Sequence, residues 1–170
     1  MFPAPARNRG FTLIELVVVI VIISVLATVA LRRLTVYQEL AEKTAMESTL
    51  RIIKTGLQIR LAELIIANRQ SQAKQLETSN PMRWLVEPPA NYGGTYRQPA
   101  EGGKWYYDER RSELVYVVNN GEFLTTDATD DGKQLRFRVE LLNGYVETAR
   151  AKVRTVTGIT LVPVRPYRWP

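Results

Sequence analysis

The chain falls into three patterns of apolar and polar positions. From Phe11 to Leu31 the residues are almost continuously apolar, with Thr12, Glu15, Ser24 and Thr28 as the polar exceptions. At about 1.5 Å per residue this run spans about 31 Å as a helix, the thickness of a bilayer hydrocarbon core. Val and Ile dominate it; they are mediocre helix formers in water, but lipid leaves the backbone little alternative to a helix. Beyond Arg32 a stripe replaces the run. Met46, Leu50, Ile53, Leu57, Leu61 and Leu64 recur at spacings of four, three, four, four and three, one face of an amphipathic helix. Glu39, Glu42, Lys43, Glu47, Arg51, Lys54 and Arg60 fall mostly off that face. Neither Gly nor Pro interrupts between Phe11 and Thr55, so one helix is expected to run to about Asn68, with Gly56 as its weak point.

The third pattern is short strands. Residues 70–103 are rich in breakers, among them Pro81, Pro88, Pro89, Gly93, Gly94 and Pro99, and read as a loop-rich connection. Within it Trp84, Leu85 and Val86 are expected to pin a short helical turn onto a core. Strands are predicted over Lys104–Asp108, Glu113–Asn119, Glu122–Thr125, Leu135–Leu142, Tyr145–Thr148 and Gly158–Val164. Asn119-Asn120-Gly121 and Asn143-Gly144 supply turn signals between them. In Leu135–Leu142 the alternation of Leu135, Phe137, Val139 and Leu141 against Arg136, Arg138 and Glu140 predicts one buried and one wet face. A long helix followed by short antiparallel strands gives an α+β class, with the sheet covering the helical stripe. Covering it removes about 1.5–3 kcal/mol of exposure penalty per large side chain, which is the reason for placing helix and sheet together.

Composition narrows the chemistry. The 170 residues contain no Cys and no His. Disulfides, thiolate metal sites and cysteine nucleophiles are excluded, and so are the Ser-His-Asp and Cys-His arrangements. No P-loop, Rossmann glycine string or metalloprotease helix is present, and the chain reads as a non-enzyme. The net charge of +6 suits an anionic partner. Anionic lipid is one such partner. Nucleic acid is another, through Trp105, Tyr106, Tyr107 and Tyr116 with Arg97, Lys104, Arg110 and Arg111 nearby. Aromatics in strands are more often core or cross-strand pairs, and that reading is preferred. Asp127, Asp130 and Asp131 before Gly132 form the acidic cluster with oxygen-ligand character. They are too few for an EF-hand loop, so a solvated Asp-Gly turn is expected, no cofactor is required, and calcium stands as the alternative.

Glu15 is the anomaly. A carboxylate at membrane depth is costly, about 2.5–3.5 kcal/mol on insertion scales, and usually marks function. It belongs to the string Gly10-Phe11-Thr12-Leu13-Ile14-Glu15, which follows Arg7 and Arg9 and opens the apolar run. In that order these features resemble the N-terminal signal of type IV pilins and type II secretion pseudopilins. The resemblance is close over about the first forty residues and architectural beyond them. It implies a pilin-like fold, cleavage after Gly10 by a prepilin peptidase, and N-methylation of the new terminal Phe11. It also implies an intermolecular pair between Glu15 of one subunit and the Phe11 amine of a neighbour, setting axial register. The family often carries a proline just after the membrane segment; here Arg32 and Arg33 occupy that place.

The expected organisation is a leader at 1–10, a membrane and assembly segment at 11–31 and an amphipathic half-helix at 32–69. A connecting loop at 70–103 and a sheet head with its tail at 104–170 complete it. Arg7 and Arg9 favour retention of the leader in the cytoplasm. The chain is then a single-pass inner-membrane protein with its C-terminal domain in the periplasm, later moved into a pilus or pseudopilus. Its implied partners are other subunits, the peptidase and methyltransferase, the inner-membrane assembly platform and lipid. By resemblance the leading function is a structural subunit, a minor pilin or pseudopilin of a type IV pilus or type II secretion pseudopilus; a head that binds DNA, an adhesion target or a secretion substrate is the alternative. An ordinary secretory signal cut after Ala30 is disfavoured, because the run is long for one and Glu15 would be pure cost.

Overall fold

A computed structural model describes residues 11–126, 133–147 and 152–169. The chain divides into two compact units, Met1–Gln38 and Glu39–Pro170. One helix, α1 (Leu13–Ile66), contributes to both. In the first unit it is long and apolar enough to cross a membrane, and every residue from Phe11 to Leu31 is exposed. The hydroxyls of Ser24 and Thr28 donate back to the carbonyls of Ile20 (2.7 Å) and Ser24 (2.8 Å). Two of the polar exceptions in the run are thereby satisfied by their own helix, as hydrocarbon requires.

In the second unit all six residues of the predicted stripe, Met46 to Leu64, are buried. The helix stops at Ile66, two residues short of the expected Asn68. Asn68 adopts a left-handed φ of 54°, while Asn68 N–H bonds Ile65 O (3.0 Å) and Arg69 N–H bonds Leu64 O (2.8 Å). This is a Schellman closure with asparagine in the position usually held by glycine. A 3-10 turn (Gln70–Lys74) then leads into a single helical turn, α2 (Gln75–Thr78), and a second 3-10 turn spans Pro81–Trp84. Trp84 and Leu85 pack against the core as expected, but Val86 is fully exposed. Gly56 is not merely a weak point: a Cβ there would lie 2.7 Å from Leu85 Cδ2 and 3.4 Å from Trp84 O, so its bareness lets this segment cross the helix closely.

The sheet contains β1 (Tyr92–Thr95), β2 (Lys104–Asp108), β3 (Glu113–Val117), β5 (Gln134–Glu147) and β6 (Lys152–Pro163), in the order β1-β2-β3-β5-β6. It is antiparallel except for the parallel β1–β2 pair, and β1 lies inside the segment predicted to be loop. A separate two-residue ladder joins β4 (Thr125–Thr126) to β7 (Tyr167–Arg168), so the predicted strand Glu122–Thr125 is reduced to its end. The predicted turn at Asn143-Gly144 does not form. β5 runs through it, with a register irregularity between Leu142 and Asn143, and Gly144 pairs with Thr155. A Cβ on Gly144 would lie 2.6 Å from Thr157 Cγ2, so this glycine serves a close approach across the ladder.

One face of the sheet places Trp105, Leu114, Tyr116, Leu135, Phe137, Val139, Ile159 and Leu161 in the core with the helical stripe. The register follows from alternation, with Trp105 opposite Tyr116, Tyr116 opposite Leu135 and Val139 opposite Leu161. The expected wet face is wet only in part. Tyr106, Val115 and Arg136 stand opposite one another on it, and the segment carrying Gly93 and Tyr96 covers them.

Candidate functional site

Thr12 and Glu15 meet at the start of α1. Glu15 N–H donates to Thr12 Oγ1, while Thr12 N–H and the Thr12 hydroxyl both donate to Glu15 Oε2, each at 3.3 Å. This is a capping box: the first residue of the Thr-x-x-Glu spacing closes the helix start, and the glutamate reaches back to it. The anomalous carboxylate therefore has a local partner within its own chain, and it sits at the positive end of the helix. The Thr-x-x-Glu spacing that signals it is present in the sequence. Phe11 and Leu13, on either side of Thr12, are about as exposed as side chains become, at 75% and 81%. Gly10, the expected cleavage residue, lies outside the described residues.

From there to Leu31 the helix presents apolar side chains all round, with Glu15 as the sole charge. So large a contiguous apolar surface exceeds what a soluble monomer leaves in water. It fits lipid or the equivalent surface of like helices, where association runs on packing and not on a hydrophobic gradient.

The head is tied together by two glutamates one turn apart. Glu39, 4% exposed, accepts from Trp169 Nε1 (2.8 Å) and Phe123 N (2.9 Å) at Oε1, and from Glu122 N (3.0 Å) at Oε2. Glu42 accepts from the Tyr116 hydroxyl (3.0 Å) and Asn119 N (2.7 Å) at Oε1, and from Asn120 N (2.7 Å) and Nδ2 (3.0 Å) at Oε2. Burial, with the Glu42 carboxylate beside it, pushes the Tyr116 hydroxyl far above its ordinary range. Neither is the solvated charge off the apolar face that the pattern predicts. For Glu39 the signal was its spacing of seven from Met46, which continues the stripe. The Asn119-Asn120-Gly121 signal does bend the chain, yet it makes no hairpin; the loop is fastened to α1 instead.

The strand aromatics are core. Trp105, Tyr106, Tyr107 and Tyr116 are all buried, with the Trp105 and Tyr116 ring centroids 4.8 Å apart. They offer no platform for stacking bases, and the aromatic-basic surface is not formed. On the opposite face the Arg136 guanidinium contacts Asp108 Oδ2 (3.1 Å) and Glu113 Oε2 (3.2 Å) and lies 5.3 Å from the Tyr96 ring centre. Burial works to raise the Asp108 carboxyl, but the Arg136 bond and the N–H groups of Arg111 and Arg110 outweigh it and hold the carboxyl below its ordinary range. Among the described residues no cluster of carboxylates could hold a metal ion. Asp127, Asp130 and Asp131 lie outside the described residues.

Residues 5–31 match the family described as the prokaryotic N-terminal methylation motif. No curated protein and no solved structure matches the chain. The motif spans the leader expected at 1–10 only in part and the apolar run to its end. It implies assembly with other pilin subunits and recognition by the prepilin peptidase. With one N-terminal helix able to span a bilayer and a small, mostly antiparallel sheet packed on a helix, the chain has the α+β pilin-like architecture expected of it. At residues 5–31 it carries the signal motif of type IV pilins and pseudopilins, a family of structural rather than catalytic subunits.

Proposed function

We propose that the protein is a minor pilin or pseudopilin, a structural subunit of a type IV pilus or type II secretion pseudopilus. It is cleaved after Gly10, N-methylated on Phe11, held in the inner membrane with its head in the periplasm, and assembled through Phe11–Leu31. The single observation that carries this reading is the exposed apolar stretch of α1 from Leu13 to Leu31, which lies inside the methylation-motif match at residues 5–31. In the assembled state Glu15 leaves its Thr12 cap for the Phe11 amine of a neighbour, a desolvated pair that fixes register more than it stabilises.

The test is co-expression with a prepilin peptidase and an assembly platform. Mass spectrometry should find a mature chain beginning at N-methylated Phe11, and Glu15→Ala should be processed and inserted yet absent from sheared filaments. A mature terminus near Leu31, or normal incorporation of Glu15→Ala, would overturn the reading. A second reading, in which the head is a binding module, draws on the arginine-lined cleft described next.

A further inference from the structure

Three of the basic residues near the strand aromatics gather away from those rings. Arg97, Arg110 and Arg111 border an open cleft of about 540 Å³ beside the end of the β2–β3 hairpin. Arg111 also borders a smaller adjoining cavity of about 70 Å³, which Arg165 lines. Arg136 is common to both, but its charge is engaged by Asp108 and Glu113. The other four arginines are exposed, and none forms an ion pair with a described residue. Among the described residues Glu109 is the one remaining carboxylate on the walls, and Thr95 Oγ1 donates to it at 3.4 Å. Like charges crowded around one concavity repel each other, and an anion entering it removes that repulsion while gaining forked guanidinium donors.

We infer that this furrow binds a carboxylate-bearing segment of a partner protein. Guanidinium groups match carboxylates two bonds at a time, and several arginines lining one cleft favour short acidic segments over a diffuse surface charge. A nucleic-acid strand fits less well. Its continuous phosphates would run against Glu109, the strand aromatics are buried, and the half-buried Tyr96 ring on the cleft wall is already engaged by the Arg136 guanidinium (5.3 Å) and the edge of Tyr106. The inference is independent of polymerisation: the furrow lies wholly in the head, and its occupancy can fail while processing at Gly10 succeeds.

The experiment uses the full chain in an uncharged detergent and a fluorescently labelled glutamate-glycine peptide, read by anisotropy. The glutamine-glycine counterpart, a labelled single-stranded DNA of equal charge and vesicles containing phosphatidylglycerol serve as competitors. Binding should be specific to the glutamate peptide and weaken with salt. Arg110→Ala and the combined Arg97→Ala/Arg110→Ala/Arg111→Ala variant should weaken it, the latter by at least about tenfold. Arg51→Ala/Arg69→Ala, which removes exposed arginines elsewhere, should leave it unchanged. Equal binding of the glutamine peptide, equal loss in both sets of variants, or tighter binding of the DNA or the vesicles would each overturn the assignment. Thermal unfolding of every variant checks that the head is intact, and the single Arg110→Ala change keeps the test decisive if the combined variant is not.

Discussion

Replacing Glu39 tests whether a buried carboxylate, and not apolar packing alone, holds the C-terminal tail and the 119–123 loop to the helix. Glu39→Ala removes the acceptor for three donors at once: the Trp169 indole and the N–H groups of Glu122 and Phe123. Glu122 and Phe123 are exposed residues, so water can rehydrate their N–H groups and recover much of what they lose. Trp169 is 5% exposed, and its indole would be left buried without a partner. A hydrogen bond to a charged group contributes about 1.5–3 kcal/mol, so with partial rehydration Glu39→Ala should destabilise by about 3–5 kcal/mol. Glu39→Gln is the finer probe. Oε1 serves both Trp169 and Phe123, and an amide oxygen can replace it there, while the amide nitrogen would face the Glu122 N–H that Oε2 now accepts. That variant should lose about 1–2 kcal/mol. A cycle with Trp169→Phe, which keeps the ring and deletes the donor, should give a coupling of about 1.5–3 kcal/mol. The assay is urea unfolding of the full chain in detergent micelles, followed by circular dichroism and tryptophan fluorescence. If Glu39→Ala stays within about 0.5 kcal/mol of the parent, as for an ordinary surface change, or if the glutamine variant is the worse of the two, the reasoning fails.

Other consequences are separable. Because Asp108 has its carboxyl held below the ordinary range, its ion pair contributes stability that is complete above the unfolded value of about 4 and is lost as pH falls through the folded one; Asp108→Asn should flatten the acid limb of a denaturation profile, and an unchanged limb would exclude Asp108 as its source. Gly93→Ala should cost about 1–3 kcal/mol, because its Cβ would lie 2.3 Å from Cε1 of the buried Tyr106 ring, whose hydroxyl accepts from Glu101 N–H. Gly56→Ala should be near neutral, both glycine variants being read by the same urea unfolding, since it meets the movable end of Leu85 and gains about 1 kcal/mol of helix propensity. Thr12→Ala should weaken the start of α1 by about 0.5–2 kcal/mol, read as faster hydrogen exchange of the first-turn amides in micelles; unchanged protection would mean that the capping box contributes nothing.

Long periodic patterns were legible from the chain alone. The apolar run and the six-residue stripe each repeat one local preference many times, so no single tertiary contact can reverse them, and every stripe residue is buried. Thr12-x-x-Glu15 is equally local, since its bonds span three residues, and the spacing is contained in the sequence. Short signals fared differently. Asn143-Gly144 has the composition of a turn, but pairing along β6 outweighs a two-residue preference, and the strand continues. The charge of Glu39 argued for solvent until the Trp169 indole, 130 residues away, gave it a buried partner. Arg136 alternated onto a nominally wet face that Tyr96 and two carboxylates cover. Sequence by itself thus determined the elements whose energy is local and repeated, together with the apolar segment that carries the methylation motif. Tertiary structure alone decided where single polar groups and glycines went, because their energies depend on partners brought together only by the folded chain.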